Sequence, residues 1–240
     1  MISALYSSVG HGGASGYLAI LSLSSYAAMS HIWLKQHVWI MNLVVASIAF
    51  YHYNRAGHHI PKLTIPFIIG SIPMAFIGGM LDIDAELYDL LLSITLVWAA
   101  YKIVNFNQGL PTQITSLRKY EPYFWGGGIG FLSGIIGVGG GIFLSPIILL
   151  KRWANVKSTA ATAAVFIFVN SLSGLIGMGV SNQIDIDLSL LAVFVVAIMV
   201  GGFLGSLYGA KYADSNSVRK LLAIVLVIAS GKRFLELLAL

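Results

Sequence analysis

The chain alternates between long apolar runs and short polar loops. Runs of roughly 20 residues, the length that spans the hydrocarbon core of a bilayer, cover 36–54, 63–82, 87–104, 160–180, 188–208 and 217–232. This pattern predicts a transmembrane helix in each run, and therefore an all-α polytopic membrane protein. Two further apolar segments, 1–27 and 123–150, contain glycine clusters. We predict that each of them is a helix broken at its glycines.

The two broken segments repeat one another. The string Val9-Gly-His-Gly-Gly-Ala14 returns 127 positions later as Ile136-Gly-Val-Gly-Gly-Gly141. On nearly the same offset, Asn42 corresponds to Asn170 and Gly78 corresponds to Gly205. We therefore divide the chain into a first repeat, 1–110, a cytoplasmic linker, 111–122, and a second repeat, 123–240.

The charged loops predict which ends of the helices face the cytoplasm. Loops rich in Lys and Arg are expected inside, and they carry Arg55 and Lys62, Arg118 and Lys119, and Lys211, Arg219 and Lys220. The loops at 82–89 and 185–187 hold acidic residues and no basic ones, so we place them outside. Segment 123–150 has basic residues on both flanks, which predicts a re-entrant hairpin that enters and leaves on one side.

Equivalent loops of the two repeats have opposite charge, and this predicts that the repeats are inverted. Each repeat would consist of a glycine-broken re-entrant hairpin followed by three transmembrane helices. Many secondary transporters have this architecture, with the substrate near the midplane at the repeat interface. The alternative is eight full crossings in two parallel repeats, with one loop that violates the charge rule.

Polar groups within the apolar segments indicate an anion site. No Asp, Glu, Lys or Arg falls in the middle of a predicted span, which disfavours a cation site built on carboxylates. A helix that restarts after a glycine turn presents unpaired N–H groups with partial positive charge. We predict that the two turns and the matching asparagines bind the substrate through Gly10, His11, Gly12, Gly13, Ser15, Asn42, Gly137, Gly139, Gly140, Gly141 and Asn170.

Several of these residues have a second interpretation. Each asparagine could donate to a bound oxyanion or could satisfy a loose carbonyl of its turn. His11 is the only imidazole that we place at depth, and it is a candidate for proton coupling as well as for a packing hydrogen bond. His52, His58 and His59 are predicted to be solvated in a basic loop. The spacing of Gly126, Gly130 and Gly134 favours close helix packing over a turn.

Composition narrows the function classes. With 58% hydrophobic and 10% charged residues and a mean hydropathy of +0.86, the chain is predicted to be surrounded mostly by lipid. It has no cysteine, which excludes thiol catalysis and thiolate metal sites. The net charge of +5 is explained by cytoplasmic loops, so nucleic acid is not an expected partner. We expect no metal and no cofactor, and the sequence leaves a homodimer open.

With these features, the chain resembles the sulfite exporter TauE/SafE family, also called TSUP. The most specific element is Gly134-Ile-Ile-Gly-Val-Gly-Gly-Gly-Ile-Phe-Leu-Ser-Pro146, which is similar to the glycine-rich signature of that family, and Gly10-His-Gly-Gly-Ala-Ser-Gly-Tyr17 looks like a variant of it. The resemblance implies transport of sulfite, thiosulfate or an organosulfonate across the bacterial inner membrane. His11 departs from the small or apolar residue that is usual at its position.

Two other functions compete with a carrier. An anion channel of other specificity, of the formate or nitrate type, would use a similar site without a conformational cycle. An intramembrane serine protease is suggested by Gly13-Ala-Ser-Gly16, but no histidine follows His59 to act as its base. We therefore expect the protein not to be an enzyme.

Overall fold

The computed structural model is all-helical over the residues that it describes, which are 1–22, 24–84 and 119–218 and the single positions 87, 90, 94, 220, 221 and 224. Its helices are α1 (Ile2–Ser7), α2 (Ala14–Ser22), α3 (His31–Arg55), α4 (Pro61–Met80), α5 (Glu121–Ile136), α6 (Gly141–Leu150), α7 (Val156–Val180) and α8 (Leu188–Leu207). A π-helical turn, Tyr208–Tyr212, extends α8. The predicted helices 87–104 and 217–232 and most of the linker 111–122 lie outside the described residues.

Among the described helices, α3, α4, α7 and α8 with its extension are long and apolar enough to cross a membrane. They confirm the spans predicted at 36–54, 63–82, 160–180 and 188–208. Large apolar side chains on α8 are exposed, including Val193 at 74% and Val196 at 67%. An exposed apolar surface of this kind is expected where a helix faces lipid.

Side-chain caps set the beginnings of α3 and α7. Ser30 accepts a hydrogen bond from the Trp33 amide, and Asn155 accepts one from the Ser158 amide. A cap of this type satisfies an amide group that has no partner within the helix. For this reason α3 and α7 begin several residues before the apolar runs of the sequence do.

The long helices have an acidic end and a basic end. The acidic end carries Asp82, Asp84, Asp185 and Asp187, and the basic end carries Arg55, Lys62, Lys157 and Lys211. At the acidic end, His31 lies 3.4 Å from Asp82, and Gln36 and His37 accept hydrogen bonds from the Asp185 and Asp187 amides. Helices α3 and α8 therefore run from the acidic end to the basic end, and α4 and α7 run the opposite way.

Close backbone contact joins α4 to α5. A β-carbon on Gly126 would overlap the Phe67 carbonyl, and one on Gly134 would overlap the Ala75 carbonyl. Gly130 lies equally close to Ser71. The prediction that these glycines serve helix packing is confirmed, since small residues spaced by four let two backbones approach in a membrane.

A similar contact joins α1 to α8. A β-carbon on Gly205 would overlap the Ala4 carbonyl, and one on Gly209 would overlap the Ser8 carbonyl. The hydroxyl of Tyr53, near the end of α3, donates to the same Ser8 carbonyl at 2.6 Å. These contacts fix the end of α1 inside the bundle.

The prediction that His52 is solvated in a basic loop is wrong. His52 lies on α3 and is buried, as is His37 near the acidic end of the same helix. His52 is not solvated, because its Nδ1 lies 2.7 Å from the Ser206 hydroxyl of α8. His58 and His59 are partly buried and are held by the Ala210 carbonyl and the Thr64 hydroxyl, and burial lowers the pKa of His59.

Candidate functional site

The first turn, residues 8–13, separates α1 from α2 and is buried throughout. The backbone reverses through Gly10 and Gly13, whose φ angles are +75° and +105°. An L side chain rarely adopts these angles, so glycine allows this turn. The His11 amide donates to the Tyr6 carbonyl at 2.9 Å, which fastens the turn to the end of α1.

The second turn, residues 137–140, separates α5 from α6. Gly137 ends α5 with a φ of +85°, and its amide donates to the Ser133 carbonyl at 2.8 Å. Gly140 starts α6 with a φ of +82°, and no side chain caps this helix. The beginning of α6 therefore brings a partial positive charge into the interior.

The two turns meet at Asn42, near the middle of α3. A β-carbon on Gly12 of the first turn would overlap Asn42 Oδ1. A β-carbon on Gly139 of the second turn would lie 2.9 Å from Asn42 Nδ2 and 3.2 Å from Ser171 Oγ. One asparagine side chain thus contacts both turns, although 97 positions of sequence separate it from Gly139.

Asn170 contacts the second turn from the other side. A β-carbon on Gly140 would lie 3.3 Å from Asn170 Nδ2, and one on Gly141 would lie 3.4 Å from the His11 ring. The side chain of Ile167, one turn earlier on α7, fills the space between Gly12 and Gly141. The structure therefore gathers Gly12, Gly139, Gly140, Gly141, His11, Asn42 and Asn170.

The two asparagines are fully buried and incompletely hydrogen-bonded. Asn42 Nδ2 donates to Ser171 Oγ at 3.4 Å, which is a long bond, and Asn42 Oδ1 has no partner among the described residues. Asn170 has none for either amide atom within the same part of the chain. Buried amides are normally satisfied, so these two side chains are candidates for contact with a ligand.

Other predicted site residues lie at the margin of this cluster. Gly10 packs on the Ala160 carbonyl, and Gly13 packs on the Tyr17 ring. Ser15 Oγ lies 2.7 Å from the Tyr6 hydroxyl and not beside a histidine. Gly137 faces the side chain of Lys35 rather than either asparagine.

Negative charge is kept away from the cluster. The carboxylates among the described residues are Asp82, Asp84, Glu121, Asp185, Asp187 and Asp214, and all of them lie at helix ends or in loops. Within the same residues no group of three His, Asp or Glu side chains is placed to hold a metal ion. As far as the described residues form it, the site is therefore polar and uncharged, with a helix beginning at its edge.

Similarity to known proteins identifies the family of this chain. The sequence profile of the family described as "Sulfite exporter TauE/SafE" matches residues 1–233. The chain belongs to this family. It is 31% identical over 237 residues to a "Probable membrane transporter protein y4hK" of Sinorhizobium fredii, covering 97% of this chain and 94% of that protein.

A second relative matches over a shorter stretch. It is the "Probable membrane transporter protein YunE" of Bacillus subtilis, 25% identical over 103 residues, which are 42% of this chain and 36% of that protein. No solved structure matches this chain. The TauE/SafE protein is thus a multi-pass membrane transporter of the bacterial inner membrane.

Sequence reasoning missed one charged residue in this TauE/SafE transporter. Lys35 is 1% exposed and lies against the second turn. Its position directly precedes the apolar run 36–54, so hydropathy places it outside the span. The signal that could have found it is Ser30, whose capping of α3 puts Lys35 in the second turn of the helix.

Proposed function

We propose that this TauE/SafE chain is a secondary transporter of a sulfur-containing anion, either sulfite, thiosulfate or an organosulfonate. The anion binds between the two glycine turns, in contact with Asn42 and Asn170. The observation that carries this proposal is the pair of buried, incompletely hydrogen-bonded amides beside the turns, where Asn42 contacts both turns and Asn170 contacts the second. The resemblance of the glycine motifs to the family signature supports a sulfur-containing anion as the substrate.

Physical chemistry favours an anion as the occupant. An oxyanion offers several acceptor atoms, which suit amide N–H groups and the uncapped beginning of α6. Hydrogen bonds to a charged group contribute about 1.5–3 kcal/mol each, more than bonds between neutral groups. A cation would find no carboxylate within the cluster formed by the described residues.

The same proposal includes two inverted repeats. If α1–α4 are exchanged with α5–α8, the observed helix contacts are reproduced: α1 with α8 becomes α5 with α4, and α2 with α3 becomes α6 with α7. Equivalent helices run in opposite directions, since α3 begins at the acidic end and α7 begins at the basic end. Both observations support a two-fold relation with its axis in the membrane plane.

The positions of the helix ends support a re-entrant hairpin at the second turn. Lys151, at the end of α6, forms an ion pair with Glu121, at the beginning of α5. Trp153 then packs on Phe67, near the basic end of α4. These contacts support a hairpin that enters and leaves on one side, with its turn at the depth of Asn42.

The proposal is tested by flux into proteoliposomes that contain the purified protein. We expect saturable uptake of sulfite, thiosulfate or sulfoacetate, acceleration by the same anion on the opposite side, and little uptake of formate or nitrate. Flux that follows voltage without saturating would support a channel instead. Uptake limited to formate or nitrate would overturn the substrate class.

A further inference from the structure

Lys35 places a positive charge inside the bundle, beside the second turn. The aliphatic part of its side chain packs on Gly137, where a β-carbon would overlap Lys35 Cγ. Its Nζ lies 3.4 Å from the Ile135 carbonyl and 5.3 Å from the centre of the Trp39 ring. The ammonium is therefore held at the end of α5, between the second turn and the acidic end.

This ammonium forms no direct ion pair among the described residues, although the Asp82 carboxylate is close enough to act on its charge. The ion pairs found there join His31 to Asp82 and Lys151 to Glu121. An ammonium has three N–H donors, and Lys35 uses one of them in a long bond to a carbonyl. A buried charge is costly unless it is paired and hydrogen-bonded, so an anion would complete this environment.

Lys35 also lies on the same helix as Asn42 of the candidate site. It precedes Asn42 by seven residues, which places the two side chains on the same face of α3 and about 10 Å apart along its axis. Lys35 contacts the second turn at Gly137, and Asn42 contacts the same turn at Gly139. The ammonium and the amide therefore border one side of the second turn.

We propose that Lys35 is a substrate-binding residue, which receives the anion on the acidic-end side of the Asn42 site. Its ammonium exchanges the Ile135 carbonyl for an oxygen of the anion, and the anion then moves along the second turn to Asn42. This inference rests on the proposed function. It adds a charged position to a site that otherwise consists of neutral groups.

The test compares Lys35→Met, Lys35→Arg and the matched control Lys157→Met in proteoliposomes. Lys157 also donates to a backbone carbonyl, that of Ala210 at 3.3 Å, but at the basic end. We expect Lys35→Met to raise the KM of the transported anion about tenfold or more, the scale of one hydrogen bond to a charged group. Lys35→Arg keeps the charge and should recover most of the affinity, and Lys157→Met should leave KM unchanged.

Thermal unfolding of the same variants distinguishes a substrate-binding role of Lys35 from a purely structural role at the end of α5. A purely structural role predicts a lower unfolding temperature for Lys35→Met with an unchanged KM, and that result would overturn the inference. Equal effects of Lys35→Met and Lys157→Met would overturn it as well. If Lys35→Met does not fold, Lys35→Gln is measured in its place against the same criteria. Wild-type protein that moves no sulfur anion contradicts the proposed function itself, whereas normal flux with unaltered KM in the variants contradicts the role of Lys35 alone.

Discussion

Asn42 contacts both glycine turns through one side chain. Its amide group is short and rigid, so it can lie between two closely approaching backbones where a longer polar side chain would not fit. Asn42 Nδ2 donates to Ser171 Oγ at 3.4 Å, and Asn42 Oδ1 has no hydrogen-bond partner among the described residues. A bound oxyanion would accept a hydrogen bond from Nδ2, whereas Oδ1 can be satisfied only by a donor such as a water molecule.

The Asn42→Asp substitution tests the charge preference at this position. The shape of the side chain is kept, but a donor is replaced by a negative charge in a buried site. We expect anion affinity to fall by a factor of 10 or more, measured as the shift of the unfolding temperature with added sulfite or thiosulfate. The control is Asn54→Asp, the same change at an exposed position of α3. Equal affinity in the two variants would remove Asn42 from the site.

His11 is a candidate for proton coupling as well as for a packing hydrogen bond, and His11→Gln distinguishes the two roles. His11 Nδ1 lies 3.0 Å from the Val9 carbonyl, so a neutral ring carries its proton on Nδ1 and donates there. Glutamine keeps a donor but does not titrate in this range. We expect anion exchange at equal pH to continue, and accumulation driven by a pH gradient to disappear.

The control for His11→Gln is His58→Gln, because His58 lies at the basic end against the Ala210 carbonyl. This variant should accumulate the anion as the wild type does. Accumulation that persists in His11→Gln would assign proton coupling to another group, and wild-type protein that never responds to a pH gradient would exclude coupling altogether.

At the scale of elements, the second turn requires glycine where α6 begins. Gly140 has a φ of +82°, and a β-carbon there would lie 2.8 Å from the Phe166 ring and 3.3 Å from Asn170 Nδ2. We expect Gly140→Val to abolish saturable flux, because both the backbone angle and the space beside Asn170 are lost. Flux is measured in proteoliposomes after the amount of inserted protein has been matched.

Gly128→Val provides the matched control for this turn. Gly128 lies on α5 with nothing within 4 Å of its β-carbon position, and replacing an exposed helical glycine is neutral or favourable. The control should insert and transport as the wild type does. Gly140→Val protein that transports normally would contradict the role of the turn.

The existence of α3, α4, α7 and α8 was predictable from hydropathy, but the first residues of α3 and α7 were not. The runs 36–54 and 160–180 miss the first turns of α3 and α7, because Ser30 and Asn155 start those helices among polar residues. Lys35 falls in one of these missed turns. The burial of His52 depends on Ser206, which lies 154 positions away, and no local pattern contains that information.

The meeting of the two turns could be predicted only in part. Their repetition in the sequence indicated that both belong to one site, and the asparagine offset identified Asn42 and Asn170. The role of Ser15 could not be judged from sequence, because its hydroxyl pairs with Tyr6 across the first turn. Contacts between distant segments determine which polar groups lack a hydrogen-bond partner, and these contacts cannot be read from a local sequence motif.

At the scale of the whole molecule, the charged residues and the hydrogen bonds distinguish the same two ends, one acidic and one basic. Different contacts occur at the two ends. Amides of the segment between α7 and α8 donate to Gln36 and His37 at the acidic end, and Lys157 and His58 contact the Ala210 carbonyl at the basic end. The glycine turns lie between these ends. An alternating-access cycle would have to open each end in turn while Asn42 stays near the centre.

Inverted repeats predict which positions can be labelled from each side of the membrane. The chain contains no cysteine, so single cysteines can be introduced at exposed positions and treated with a reagent that does not cross the membrane. We expect Tyr120→Cys and Lys151→Cys to react from the cytoplasmic side, and Asp84→Cys and Ile184→Cys to react from outside. Eight full crossings would place positions 120 and 151 on opposite sides. Since α5 and α6 lie between these two positions, labelling of both from the cytoplasm requires the chain to reverse at the second turn, which would put the start of α6 within the bilayer and beside the amides of Asn42 and Asn170.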